Sequence, residues 1–311
     1  MNILKPHPLN PGAKIGIISP ASPQRDPDRL RRGIAYLESK GYQIQLGKHA
    51  LNSYAGYLAG TDEQRVEDIH AMFADESIDA IMCARGGYGT TRILSSLNYE
   101  LIRSNPKIFV GFSDTTALQS AILKNSGLIT FSGAMPSVDF ADDIDPFTEQ
   151  SFWSILTQDI HKEIINADTL TTYNGGSAEG RLLCGNMCLL ATLCGSEFMP
   201  SFKDSLLLIE DIGEEPYRID RYFSQLELSG HLHALNGLLI GDFTPPSNPV
   251  ASVPQRPYEE IIQDYATRIH IPVLGTFPYG HIKRKLTLPF GIQVSINADE
   301  GTLMFKESQF A

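Results

Sequence analysis

The segment KIFVGFSDTTAL, residues 107–118, decides the fold. Ile108, Phe109 and Val110 form a continuous apolar run, the mark of a strand buried on both faces of a parallel sheet. Ser113 follows at once, and a helix-forming segment begins with no connecting loop. A strand that feeds directly into a helix is a building block of α/β architecture. Upstream the same alternation repeats. KIGIISPAS (14–22) reads as a strand ending in a Ser/Pro loop, and Asp26 with Pro27 supplies the N-cap and first-turn proline of a helix that stops at Gly41. Thr61 through Gln64 has the spacing of a capping box, with Val66, Ile69, Met72 and Phe73 on one face of the helix it opens. IDAIMCA (78–84) is another fully buried strand. In open α/β sheets ligands bind beyond the carboxyl ends of the strands, so the loops after these runs are where chemistry is expected.

The pattern changes around residues 160–180, where KEIINADTLTTYNGGSAEGR is polar, rich in Gly and Thr, and without a helical face. A domain boundary is expected there. The sequence therefore predicts an α/β protein, with a parallel-sheet α/β domain over residues 1–165 and a smaller mixed α/β domain over 166–311. In the second half SLLLIED (205–211), NGLLIGDF (236–243) and IPVLGTF (271–277) read as strands. Ile219, Tyr222, Phe223 and Leu226 mark one helix face; Tyr258, Ile261, Ile262 and Tyr265 mark another. QVSINADEGTLMF (293–305) reads as a hairpin turning at Gly301.

A chain of 311 residues is long enough for two domains, each with its own core. Its net charge of 25 − 36 = −11 opposes a polyanionic partner, so nucleic acid is not expected. The N-terminal MNILKPHPLNPGAK lacks the apolar centre of a signal peptide, and no later run reaches the roughly 18 apolar residues that span a bilayer. A cytoplasmic protein without a membrane partner is expected. Cys184, Cys188 and Cys194 lie close together, but no CxxC pair or neighbouring His accompanies them. Met187, Leu190, Ala191 and Cys194 instead share helical spacing, which predicts a buried helix face; neither metal nor cofactor is expected.

The turn at Ser113 has the form of a nucleophile elbow, in which a serine Oγ is exposed and the next N–H faces a developing oxyanion. Thr115 stands where the second glycine of G-x-S-x-G would be, and the alternative is that Ser113 or Asp114 only caps the helix. Arg85-Gly86-Gly87-Tyr88-Gly89 follows the strand at 78–84, and its glycines let backbone N–H groups approach an anion. A second oxyanion donor, a phosphate nest and a plain tight turn all fit it, although the P-loop Lys-Ser/Thr is absent. Among the histidines, His281 alone follows a predicted strand in a Gly/Pro loop, Phe-Pro-Tyr-Gly-His. Glu210 and Asp211 end the strand SLLLI and alternate in direction. Spacing leaves open which of them would orient an imidazole.

ISPAS (18–22), GYLAGTDEQR (56–65), CARGGYGTTR (83–92), KIFVGFSDTTAL (107–118), GNMCLLATLCG (185–195), LLLIEDIGEEPYRIDR (206–221) and PVLGTFPYGH (272–281) span nearly the whole chain in order. In them the sequence resembles the LD-carboxypeptidase family of serine peptidases, which includes the microcin C immunity peptidases. The resemblance implies a triad of Ser113, His281 and Glu210, with an oxyanion hole formed by the N–H of Asp114 and one from the Gly86-Gly87 turn. It also implies a homodimer with the active site at the domain interface. The implied reaction releases the terminal D-Ala of murein tetrapeptides through an acyl-enzyme, in cytoplasmic peptidoglycan recycling. Arg85 is a candidate for binding the substrate's free carboxylate, with a surface ion pair as the alternative reading. Cys184 departs from the family pattern G-x-L-x-G-G-N, where a glycine is usual; a packing change is expected. Two other readings stand beside this one. The microcin-immunity type cleaves aminoacyl-nucleotide conjugates and tends to carry an added substrate loop with an aromatic, whereas this chain's one tryptophan, Trp153, precedes the polar stretch. A non-catalytic phosphate- or sugar-binding protein would use Ser113 only as a cap.

Overall fold

In the computed structural model, which describes residues 2–166, 170–248 and 255–311, the chain divides into two units. One comprises Met1–Asp159, Leu286–Gly291 and Gln309–Ala311; the other comprises Ile160–Lys285 and Ile292–Ser308. The single cut expected at 165/166 is thus replaced by a junction at 159/160 and two returns of the C-terminal segment to the first unit.

The first unit alternates β1 (Lys14–Ile18), α1 (Pro27–Ser39), β2 (Gln43–Leu46), α2 (Asp62–Ala74), β3 (Ala80–Cys83), α3 (Tyr99–Ser104), β4 (Ile108–Gly111), α4 (Thr116–Ser126), β5 (Thr130–Ser132) and α5 (Pro146–Thr157). These strands pair in parallel in the order β5-β4-β3-β1-β2. Every residue of β3 and β4 is buried, as two covered sheet faces demand. The helix starts follow local chemistry. Asp26 accepts from the Asp28 N–H to cap α1, and Thr61 and Gln64 form the reciprocal capping box of α2.

The second unit holds β6 (Ile164–Asn166), β7 (Thr171–Asn174), β8 (Ser177–Asn186), α6 (Met187–Leu193), β9 (Ser205–Ile212), α7 (Pro216–Leu228), β10 (Leu235–Thr244), α8 (Tyr258–Ile269) and β11 (Val273–Gly275). The chain then contributes β12 (Leu288–Phe290) to the first sheet, antiparallel to β5, before β13 (Gln293–Asn297) and β14 (Thr302–Phe305) close the second as a hairpin. Gln309 ties the terminus to the first unit by donating to the carbonyls of Ile155 and Gln158. The second sheet runs β6-β14-β13-β8-β9-β10-β11-β7, with β8 to β11 parallel at its centre.

The polar stretch expected to be a boundary therefore builds strands β6, β7 and the start of β8, apart from residues 167–169, which lie outside the described residues. Its polarity reflects the half-exposed ends of the sheet. Cys194 also departs from expectation. α6 stops at Leu193, so Met187, Leu190 and Ala191 are buried while Cys194 forms a half-buried C-cap facing the Leu190 carbonyl.

Candidate active site

In the first unit β4 ends at Gly111, and Ser113 begins a short 3-10 turn, Ser113–Thr115, that runs directly into α4. Ser113 has φ +65°, a conformation non-glycine residues seldom take and one that functional elbows use. The turn is possible because Gly111 has no side chain; a Cβ there would lie 2.3 Å from Thr115 Oγ1. Thr115 in turn donates its hydroxyl to the Phe112 carbonyl. N–H groups in the first turn of a helix lack intrahelical acceptors, so those beside Ser113 present partial positive charge. The Asp114 side chain is buried away from solvent and accepts from the Thr90 N–H at 2.9 Å, while Thr90 Oγ1 donates to the Asp114 carbonyl. Burial pushes the pKa of Asp114 above the usual carboxylate value, and hydrogen bonds from Thr90 and Gly89 oppose that rise.

The glycine loop packs on the same turn. A Cβ at Gly86 would fall 2.9 Å from Ser113 Cβ and 3.2 Å from its Oγ, so only glycine brings this backbone so near the hydroxyl. Gly87, at φ +123°, lies against Ser22, whose Oγ accepts from the Tyr88 N–H. Arg65, fully buried on α2, donates to the carbonyls of Pro20 and Gly89 and pairs with Asp62. Ser22, Thr90 and Arg65 were not read from the sequence as site residues. The spacing of an Arg on a helix gives no sign that it clamps two distant loops.

In the second unit Glu210 Oε2 lies 2.6 Å from His281 Nδ1. Glu210 is wholly buried, and the imidazole is about four-fifths covered. Of the two neighbouring carboxylates, this contact singles out Glu210. Asp211 turns to α6 instead, accepting from the N–H groups of Cys188 and Ile212. Asn186 joins the two: its Nδ2 donates to Asp211 Oδ1 at 2.9 Å and Glu210 Oε1 at 3.3 Å, while its Oδ1 accepts from the Leu189 N–H as the cap of α6. Asn186 and Glu210 are register partners on β8 and β9, which is why they meet. Burial, then the charge of Glu210, pushes Asp211 up to about 7. His281 is placed by its loop. The Tyr279 carbonyl accepts from the Asp242 N–H, and Gly241 is needed there because a Cβ would lie 2.3 Å from that oxygen. Asn186 was missed as a site residue; its only sequence signal was a cap position.

Arg85 reaches the Pro23 carbonyl at 3.1 Å. Trp153 stacks on Tyr42 at 5.0 Å and donates to the Tyr36 hydroxyl, inside an aromatic cluster of the first unit. Among the described residues no helix is long and apolar enough to cross a membrane.

Comparison with known proteins follows the same division of the chain. The LD-carboxypeptidase N-terminal domain matches residues 15–133, and the LD-carboxypeptidase C-terminal domain matches 179–296. The probable murein peptide carboxypeptidase of Bacillus subtilis is 40% identical over 303 residues, 97% of this chain and 94% of that protein. A solved structure of the microcin C7 self-immunity protein MccF with aspartyl sulfamoyl adenosine matches with TM-score 0.91 and 28% identity over 99% of this chain and 100% of that one; the Escherichia coli protein of that name is 29% identical over 96% of this chain and 95% of its own length. The crystal structure of muramoyltetrapeptide carboxypeptidase from Oxalobacter formigenes matches with TM-score 0.83 and 31% identity over 94% and 97% of the two chains. With both halves matched by the paired domains, and a relative this similar along almost its whole length, the chain belongs to the LD-carboxypeptidase family.

Proposed function

We propose that this protein is a serine LD-carboxypeptidase that releases the terminal D-Ala from murein tetrapeptides. Ser113 is the nucleophile, His281 the general base and Glu210 the residue that orients the imidazole. Glu210 holds Nδ1, so Nε2 takes the proton as Ser113 Oγ attacks the amide carbonyl carbon. The N–H of Asp114 and one from the Gly86-Gly87 turn stabilise the oxyanion. The C–N bond then breaks, His281 returns the proton to the departing amine of D-Ala, and water hydrolyses the ester by the same route. The proposal requires His281 Nε2 to reach Ser113 Oγ in the reacting complex.

The observation that carries this reading is the conformation of Ser113, held at φ +65° on a strand-to-helix turn with a glycine backbone packed against it. A simple helix cap needs no such backbone. Relatives named as murein peptide and muramoyltetrapeptide carboxypeptidases support this substrate. Ser113→Ala is expected to abolish D-Ala release from a stem tetrapeptide, and a serine-directed phosphonate is expected to label the wild type but not the variant. Undiminished turnover by Ser113→Ala overturns the mechanism; failure of the phosphonate to react favours a binding protein. The same reading makes the enzyme a cytoplasmic homodimer acting in peptidoglycan recycling, and sedimentation checks the dimer.

The likeness to MccF supports a second reading, cleavage of an aminoacyl-nucleotide conjugate. The higher identity to the murein peptide relative, and the placement of Trp153 in a packed cluster instead of a substrate loop, favour the first. Turnover of both substrates by one preparation separates them.

A further inference from the structure

A single buried guanidinium grips the glycine loop and the loop after β1 together. Arg65 stands in α2, and its side chain is wholly out of solvent. Nη1 donates to the Pro20 carbonyl, after β1, at 2.6 Å and to the Gly89 carbonyl at 2.9 Å; Nη2 pairs with Asp62 at the start of α2. Gly89, at φ +125°, makes this approach possible, since a Cβ there would lie 3.0 Å from Nη1 and 2.5 Å from Leu58 Cδ2. Asp62 in turn accepts from Arg92 Nε at 3.0 Å and Nη2 at 2.7 Å, at the end of the 3-10 turn Thr90–Arg92. The first turn of α2 therefore holds the chain at Gly89 and again at Arg92.

Both grips lead to the surroundings of Ser113. Thr90, next to Gly89, donates its N–H to Asp114 Oδ2 at 2.9 Å and its hydroxyl to the Asp114 carbonyl at 2.6 Å. Asp114, whose own N–H is proposed for the oxyanion, is thus tied to the gripped segment at two points. Pro20 lies two residues before Ser22, whose Oγ accepts from the Tyr88 N–H at 3.1 Å, and Gly86 packs on Ser113. Burying a guanidinium carries a desolvation cost that is offset only where its donors are met. Here a rigid planar fork meets two carbonyls and a carboxylate; an ammonium on a flexible stem cannot fix the distance between two loops in the same way. Donors stabilise a developing oxyanion when they are aligned before it forms.

We propose that Arg65 is a positioning residue of the reaction: it sets the alignment of the oxyanion donors by holding the Pro20 and Gly89 loops together, with Asp62, braced by Arg92, orienting its guanidinium. This rests on reading Ser113 as the nucleophile, so one readout is chosen that does not depend on turnover. Wild type, Arg65→Lys and Arg92→Met are compared by amide hydrogen exchange and by turnover of a Lys-containing stem tetrapeptide ending in D-Ala. The Kd of that peptide is measured for each on the Ser113→Ala background. Arg65→Lys is expected to speed exchange at residues 86–90 and 113–115 at least about tenfold, while β1 and the rest of α4 keep their protection. It should lower kcat at least about tenfold and leave Kd within about threefold. Arg92→Met leaves Arg65 in place and should show the same pattern with a smaller loss, about twofold to fivefold in kcat. The Arg92 side chain is 44% exposed, so this variant carries the comparison even where Arg65→Lys fails to fold. Exchange that quickens evenly across the first unit, an unchanged kcat, or a fall in kcat matched by an equal loss of affinity overturns the positioning role. Faster exchange confined to the two segments, with no D-Ala released by the wild type, retains the grip of Arg65 on the loops and overturns the hydrolytic reading.

Discussion

Gly86 and Asn186 show how closely single side chains govern the proposed chemistry. A methyl at Gly86 would meet Ser113 Cβ at 2.9 Å and the Phe112 carbonyl at 3.1 Å, so it must displace the serine or the loop. Overpacking of this kind costs about 1–3 kcal/mol. Gly86→Ala is therefore expected to remain folded, with a modest fall in the urea midpoint, and to lose at least about tenfold in kcat, since displacing a catalytic group by 1 Å can cost about 100-fold. Full activity would show that the turn does not position Ser113. Asn186 acts through Glu210. Removing its amide takes a donor from a buried carboxylate and frees Glu210 to rotate away from His281. Asn186→Ala is expected to lower kcat with little change in KM, because the Glu210 carboxylate then loses a bond that holds it against His281. An unchanged kcat with a lower melting temperature would mean the residue serves only as the cap of α6.

At the scale of elements, strand ends and the turns and loops after them deliver these side chains, while the caps of α1 and α2 hold the frame. Gly241 on β10 lets the Tyr279 carbonyl approach and fixes the start of the loop that carries His281. Gly241→Ala must push that loop outward, and activity should fall while far-UV circular dichroism stays unchanged. Thr61→Ala provides the contrast. It breaks the capping box of α2 and should cost about 1 kcal/mol of stability while leaving kcat/KM intact. The same difference explains what could be read in the sequence. β3 and β4 announce themselves because strands covered on both faces are apolar, and β9 and β10 do so through their buried runs Leu206–Ile209 and Leu238–Ile240. α1 and α2 carry their caps in plain view. β6 and β7 do not, because edge positions are half-exposed, and β12 is a three-residue strand whose partner β5 lies far away in the chain. The turn at Ser113 was legible since strand and helix adjoin there. That Glu210 rather than Asp211 meets the imidazole depends on how β9 and the 276–281 loop meet in space, which alternation along one strand cannot tell.

For the whole molecule, the recurrent crossing of the chain and the buried carboxylate pair both bear on stability. A fragment of residues 1–165 contains five strands of the first sheet but lacks β12 and the Gln309 contacts, so one cut does not yield an intact first unit. Proton linkage adds a pH dependence that can be assigned to one residue. Asp211 is raised from 3.8 to about 7, chiefly by burial and then by Glu210. The native state therefore binds a proton that the unfolded chain has already lost between about pH 4 and pH 7. For this raised group the stabilising contribution is complete at low pH and is lost as pH rises through about 7. Its full size is no more than about 4 kcal/mol. Asp211→Asn removes the titration while keeping an oxygen that can accept from Cys188 or Ile212. In urea unfolding at pH 5 and pH 8, the stability difference between wild type and variant should shift in the variant's favour at the higher pH, because only the wild type then carries a second buried negative charge beside Glu210. A difference that is the same at both values would show that Asp211 is already ionised at pH 5, with its three N–H donors outweighing its burial.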